Sequence, residues 1–131
     1  MAPSKIGKIT IPYGANPQDH EITTAKFLNK FGFDVEFLIP IDENCVKTAD
    51  IKMNGLLWEI KSPKGDGKYT IEHILRKASK KSNNIIVDLR RTKMSDYRSL
   101  SQIEKFFKLI RNIKILWVIT KSAELLDFKK P

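Results

Sequence analysis

Asp50-Ile51-Lys52-Met53-Asn54-Gly55-Leu56-Leu57-Trp58-Glu59-Ile60-Lys61 is the stretch that decides how this chain is read. Asn-Gly between two apolar-rich runs is the strongest short-range signal for a β-hairpin. With Asn54-Gly55 as a two-residue turn, Met53 pairs with Leu56, and counting back puts Asp50 directly opposite Glu59. Residues paired in this way have Cβ atoms about 4.5–5.5 Å apart on one face. Glu59 and Lys61, two apart on one strand, share that face, while Trp58 and Ile60 turn toward apolar packing. The hairpin therefore predicts a patch of Asp50, Glu59 and Lys61. Facing carboxylates repel unless one takes a proton, a lysine neutralises them or a divalent cation bridges them. The plainer alternative is a surface hairpin whose acid pair is softened by Lys61 and Lys52.

Outward from the hairpin, the apolar spacing predicts the rest. Residues 1–18, rich in Pro, Gly and Asn, read as a loosely ordered arm. Asp19 caps a helix carrying Ile22, Ala25 and Leu28 at helical spacing, and Gly32 stops it. Phe33, Val35 and Phe37 alternate with acids as in a strand, and residues 40–47 form a loop. After the hairpin, residues 62–67 end the second strand. Thr70 caps a helix with Ile71, Ile74, Leu75 and Ala78 on one face. Residues 85–89 are almost wholly apolar and read as a central strand. Ser95 starts a helix over 95–111 with Leu100, Ile103, Phe106, Phe107 and Ile110 inward. Residues 113–120 give a second central strand, and 125–128 a short final segment. This order predicts an α/β fold, a mixed central β-sheet flanked by helices.

Length and composition agree. The 131 residues suggest a single domain over 1–131. With 41% apolar and 30% charged residues, the chain is neither disordered nor a membrane span, and no run approaches the roughly 18 apolar residues a bilayer requires. Met1-Ala2-Pro3-Ser4-Lys5 has no apolar signal region. Cys45 stands alone, which excludes an internal disulfide and a cysteine zinc cage. The net charge of +9 is unevenly spread: residues 1–60 hold 6 bases and 8 acids, residues 61–131 hold 18 bases and 7 acids. Such a basic half suits a polyanionic partner, although solubility alone would also account for it.

Several residues could join the hairpin patch. Glu21 lies at the edge of the first helix's apolar stripe, where an acid wants a partner; a first-turn Glu is also favoured simply by the helix dipole. Residues 61–93 carry ten bases against three acids. Lys64 and Lys68 sit in the Gly-rich loop, Arg76 and Lys80 lie four apart on one helix, and Arg90 and Arg91 end the next strand. With His73 in the first turn of the basic helix, these form a candidate surface that would hold phosphates without reading sequence. His20 and His73 are too few for a histidine zinc site. Trp58 and Trp117 read as core, and Gly65-Asp66-Gly67 matches no phosphate loop.

Asp50, eight residues, then Glu59-Ile60-Lys61 resembles the Asp…(Asp/Glu)-x-Lys core of the PD-(D/E)xK nuclease superfamily, with Glu21 in His20-Glu21-Ile22-Thr23-Thr24-Ala25 at the place of its additional helix acid. Trp58-Glu59-Ile60-Lys61-Ser62-Pro63-Lys64-Gly65, Tyr69-Thr70-Ile71, Ala78 and Ile85-Ile86-Val87-Asp88-Leu89 are similar to the C-terminal tRNase toxin domains of contact-dependent growth inhibition and related polymorphic toxins. The resemblance spans roughly residues 19–91. The sequence departs from it at Ala49, in the place of the motif's Pro, which many members lack, and at Lys80 and Lys81, where related domains have Gln. The resemblance implies a restriction-endonuclease-like core and metal-dependent hydrolysis of phosphodiester bonds in RNA, tRNA above all. Asp50, Glu59 and the main-chain carbonyl of Ile60 would hold Mg²⁺ or Mn²⁺, with Glu21 joining directly or through water, and Lys61 would position a water or neutralise charge on the phosphate. DNA cleavage by a DNase toxin on the same scaffold is the alternative, and a non-catalytic nucleic-acid-binding module a third reading. A toxin further implies an acidic immunity protein over the basic cleft. It also implies action in the bacterial cytoplasm, after delivery as the C-terminal part of a larger secreted protein or as a small cytoplasmic protein.

Overall fold

Asn54 and Gly55 both take positive φ, 54° and 74°, as the type I′ turn of a tight hairpin requires. Met53 pairs with Leu56, Lys52 with Leu57 and Ile51 with Trp58, so the register counted from the turn is present. The computed structural model describes residues 5–41 and 48–130; Cys45 and most of the 40–47 loop lie outside them. Seven strands and three α-helices among the described residues give a mixed α/β architecture, with strands neighbouring in chain order. The chain divides inside the second hairpin strand into two compact units, residues 1–58 and 59–131.

The first unit holds β1 (Ile9–Thr10), α1 (Asp19–Lys30), β2 (Val35–Phe37), β3 (Ile51–Met53) and the start of β4 (Leu56–Lys61). β1 runs parallel to β2, and β2 and β3 are antiparallel, as are β3 and β4. Ala25 and Leu28 of α1 are buried, as the helical spacing predicts, with Val35, Phe37, Ile51, Met53 and Trp58. The Trp58 indole donates to the Met53 carbonyl at 3.0 Å. Gly32 ends the helix at φ 89°, its N–H bonded to the Asn29 carbonyl.

Two expectations change here. Gln18, not Asp19, is the N-cap of α1. And the stretch expected as a loose arm, residues 1–18, carries β1. The Lys8 N–H donates to the Asp34 carboxylate at 2.8 Å, and the Lys8 carbonyl accepts from Val35 N–H and from the Asn29 amide. Gly7 donates to the Asn29 carbonyl at 2.9 Å, and a Cβ on Gly7 would lie 1.9 Å from the Phe33 carbonyl oxygen. Gly7→Ala must therefore push β1 off β2. Its expected cost is more than about 1 kcal/mol, read as a lower urea midpoint together with faster proton exchange at the Val35 amide.

The second unit holds the end of β4, α2 (Thr70–Ser79), β5 (Asn84–Asp88), a 3₁₀ turn at Leu89–Arg91, α3 (Asp96–Leu109), β6 (Ile115–Ile119) and β7 (Leu125–Phe128). β4, β5 and β6 are parallel, and β7 is antiparallel to β6. Ile71, Leu75 and Ala78 of α2 and Ile103 and Phe107 of α3 cover Ile85, Val87, Leu116 and Val118. The Ser95 hydroxyl caps α3 by accepting the Arg98 N–H, as expected. Tyr69, rather than Thr70, is the N-cap of α2, and α3 stops at Leu109 instead of residue 111. Arg90 and Arg91 lie in the 3₁₀ turn, because Asp88 caps it by accepting the Arg90 N–H. Among the described residues, no helix is long and apolar enough to cross a membrane.

Candidate active site

Alternation along β4 separates its two faces. Glu59 and Lys61 stand beside Ile85 and Val87 in the parallel ladder, and Ile60 beside Ile86. Ile85 and Val87 belong to the core face under α2, so Glu59 is a carboxylate set among apolar neighbours. It is 1% exposed. Its Oε2 lies 3.5 Å from the Lys61 ammonium and 3.5 Å from that of Lys81. Lys81 follows the C-cap of α2, where its N–H bonds the Ala78 carbonyl at 2.9 Å. The lysine side chains are 25% and 35% exposed, so both run from the buried acid to solvent. The structure thus brings Glu59 and Lys61 together as expected and adds Lys81, whose sequence signal was no more than a departure from the family's Gln.

Asp50 and Glu21 belong to the first unit. Asp50 is fixed by its main chain: its N–H donates to the Trp58 carbonyl at 2.9 Å, and its carbonyl accepts from Leu38 N–H at 3.0 Å. The ladder partners end at Ile51 and Trp58, so the count that sets Asp50 against Glu59 runs one rung past the ladder. Glu21 Oε1 accepts the Gln18 N–H at 2.8 Å, the contact of a first-turn helix-capping acid. Ile60 is buried.

The basic residues behave differently from one another. Lys64, Lys68, His73 and Lys80 are exposed, with Lys68 Nζ 5.6 Å from the centre of the Tyr69 ring. Arg76 turns back to Glu72 at 2.9 Å. Arg90 is held in a fork by both Asp88 oxygens, at 2.9 and 2.7 Å, which fixes its guanidinium plane. Arg91 donates to the Ser62 carbonyl at 2.8 Å and the Thr92 hydroxyl to the Gly65 carbonyl at 2.6 Å. These two bonds tie the loop after β4 to the turn after β5, at the carboxyl ends of parallel strands, where open α/β sheets bind ligands.

Among the described residues, no group of three or more His, Cys, Asp or Glu side chains could hold a metal ion. A cation bound at Glu59 would have few side-chain ligands and would complete its shell with main-chain carbonyl, water and phosphate oxygens. That donor set suits Mg²⁺ or Mn²⁺ rather than zinc.

The fold is similar to that of a CdiA-CT/CdiI toxin and immunity complex from Burkholderia pseudomallei, with a TM-score of 0.61 at 20% identity, covering 94% of this chain and 99% of that chain. Comparison with curated proteins gives no match. The family model for the contact-dependent growth inhibition CdiA C-terminal domain matches residues 47–125, a span that takes in the hairpin, Glu59, Lys61, Lys81 and the whole of β5, α3 and β6. The chain belongs to the family of contact-dependent growth inhibition CdiA C-terminal domains.

Proposed function

We propose that this growth-inhibition domain is a toxin that hydrolyses phosphodiester bonds in RNA, with tRNA as substrate and a divalent metal as cofactor. The observation that carries the reading is Glu59, a buried carboxylate held 3.5 Å from Lys61 in a Glu-x-Lys arrangement on β4. Taking a carboxylate out of water costs several kcal/mol, and its ion partners return only part of that. A position beside Ile85 that served packing alone would be better filled by an apolar residue. Buried charges of this kind concentrate at sites of chemistry.

The roles follow from atom types. Glu59 would supply an anionic oxygen and Ile60 a carbonyl oxygen to a bound cation. On the motif's spacing alone, Asp50 is a second carboxylate ligand and Glu21 a further acid. Bound metal would polarise the phosphoryl oxygen and lower the pKa of its water. Lys61 orients the attacking water or offsets charge growing on the phosphate. Arg90, with its plane fixed by Asp88, adds a positive charge to the basic surface. Lys64, Lys68, His73, Arg76, Lys80 and Arg91 extend a sequence-independent basic surface.

The immunity partner we infer is acidic, complementary to a stretch, residues 61–131, with 18 bases against 7 acids. The similar fold from Burkholderia was solved with its immunity protein, which supports such a pairing. As a C-terminal domain of this family, the chain would act in the cytoplasm of a target bacterium after delivery by a larger protein.

The test is cleavage of total tRNA and of plasmid DNA in Mg²⁺, Mn²⁺ or EDTA. Loss of tRNA with either metal, with none in EDTA and the plasmid intact, is expected. Nicked plasmid beside intact tRNA would make the domain a DNase, and no cleavage of either would leave a nucleic-acid-binding module.

A further inference from the structure

Glu59, Lys61 and Lys81 carry one negative charge and two positive charges around a single oxygen, Oε2, at 3.5 Å on each side. The carboxylate is buried, 2% exposed at its side chain, whereas the lysines reach solvent. Both ammonium groups meet at the one buried oxygen, and both reach solvent, where a second anion can approach them. We infer that Lys81 and Lys61 form a two-lysine seat for a phosphate of the nucleic acid, in which the Glu59 oxygen is the internal anion of the free protein. Lys81 is then a substrate-binding residue, and more than a counter-ion that makes the burial of Glu59 tolerable.

Three features support this. Lys81 and Lys61 come from different elements, the turn after α2 and the end of β4, so the seat is defined by tertiary structure. Phosphate oxygens and carboxylate oxygens are recognised by ammonium groups in the same way. And the seat stands beside the acid that, on the nuclease reading, holds the metal; the inference rests on that reading for its position relative to the scissile bond, but not for its anion chemistry.

The two roles of Lys81 separate in a background without the acid. In Glu59→Gln protein, a residue that only balances Glu59 has nothing left to balance. Fluorescein-labelled total tRNA is titrated by anisotropy at several salt concentrations against Glu59→Gln and against Glu59→Gln/Lys81→Met, each checked for folding by circular dichroism. The second variant is expected to bind roughly tenfold more weakly, as for loss of one charged hydrogen bond, and to lose about one unit of salt slope, as for one phosphate contact. Lys81→Arg in the same background should restore most of both, since it keeps the charge. Equal affinity and equal slope for Glu59→Gln with and without Lys81 would overturn the inference, as would the absence of tRNA binding by Glu59→Gln protein. Weakened binding by Lys81→Met in a wild-type protein that cleaves nothing would remove the nuclease reading and leave the phosphate seat standing.

Discussion

If the domain cleaves tRNA as proposed, Glu59→Gln is expected to lower that rate by about 10²–10³-fold, the size of effect seen when one electrostatic group at a reacting centre is removed. The substitution keeps the shape of the side chain and deletes its charge. It therefore removes the anionic oxygen that the proposed metal would need, while keeping the side chain's shape beside Ile85. Stability should move little. The desolvation cost of a buried carboxylate disappears along with its two ion pairs, and the freed ammonium groups of Lys61 and Lys81, already part-exposed, can take up water. Cleavage is measured with tRNA in excess, beside a thermal melt of the same protein. A variant that melts like the wild type and cleaves like it would show that the Glu-x-Lys pair on β4 is structural. A loss of activity with an unchanged melt would assign the chemistry to this carboxylate.

The hairpin and the three helices were legible because their signals are local. Asn54-Gly55 can hardly be anything but a tight turn, and Ile71, Leu75 and Ala78 repeat at the spacing of a helix face. β5 reads as a strand from its unbroken apolar run, and all of Ile85, Ile86 and Val87 are buried. The strand at Ile9–Thr10 is not legible, for the opposite reason. A strand of two residues has no periodicity, and what holds it is distant in sequence: the Asp34 carboxylate bonds the Lys8 N–H across 26 residues, and the Asn29 amide bridges the Lys8 and Phe33 carbonyls. No local pattern encodes such contacts. Gly7 is the one local trace of them, since a glycine in close contact with a carbonyl marks a backbone approach that a Cβ forbids.

The candidate site was legible to a similar depth. Glu59 and Lys61 meet because two residues apart on a strand share a face, which is a statement about chain geometry. Lys81 meets Glu59 only because the turn after α2 returns to β4, and a lysine at the end of a basic helix looks in sequence like every other solvated lysine. Arg90 shows the intermediate case. Its fork to Asp88 is two residues away in sequence, yet the reading of 85–89 as a continuous strand placed those side chains on a regular pleat and missed the 3₁₀ turn that joins them.

Phe107→Ala is expected to cost about 3–5 kcal/mol, the range for emptying a buried phenylalanine site. Phe107 is 2% exposed in α3 and packs in the same cluster as Leu75, Val87 and Leu116. Its ring meets that of Phe128 on β7 edge-on, with centroids 6.3 Å apart and planes at 88°. It also lies under the Lys130 ammonium, 4.1 Å from the ring centre. That ammonium donates to the Phe107 and Ile110 carbonyls and so closes the C-terminal end of α3. Burial, with the charge of Lys114, holds Lys130 below the usual lysine range. Truncation thus removes a helix-to-strand contact and a cation's ring partner at once, and leaves a cavity that the parallel strands are too rigid to close. With urea slopes of about 1–3 kcal/mol/M for small proteins, the midpoint should fall by roughly 1–5 M. Phe107→Leu, which keeps most of the volume, should cost about 1–1.5 kcal/mol. Well below the lowered melting temperature, any tRNA cleavage per folded molecule should stay near the wild-type value, because the ring and cation contacts of Phe107 are with Phe128 and Lys130. If Phe107→Ala instead removed activity from protein that remained folded, the site would depend on the exact seating of α3 against the sheet, and the independence of core and chemistry argued from these contacts would fail.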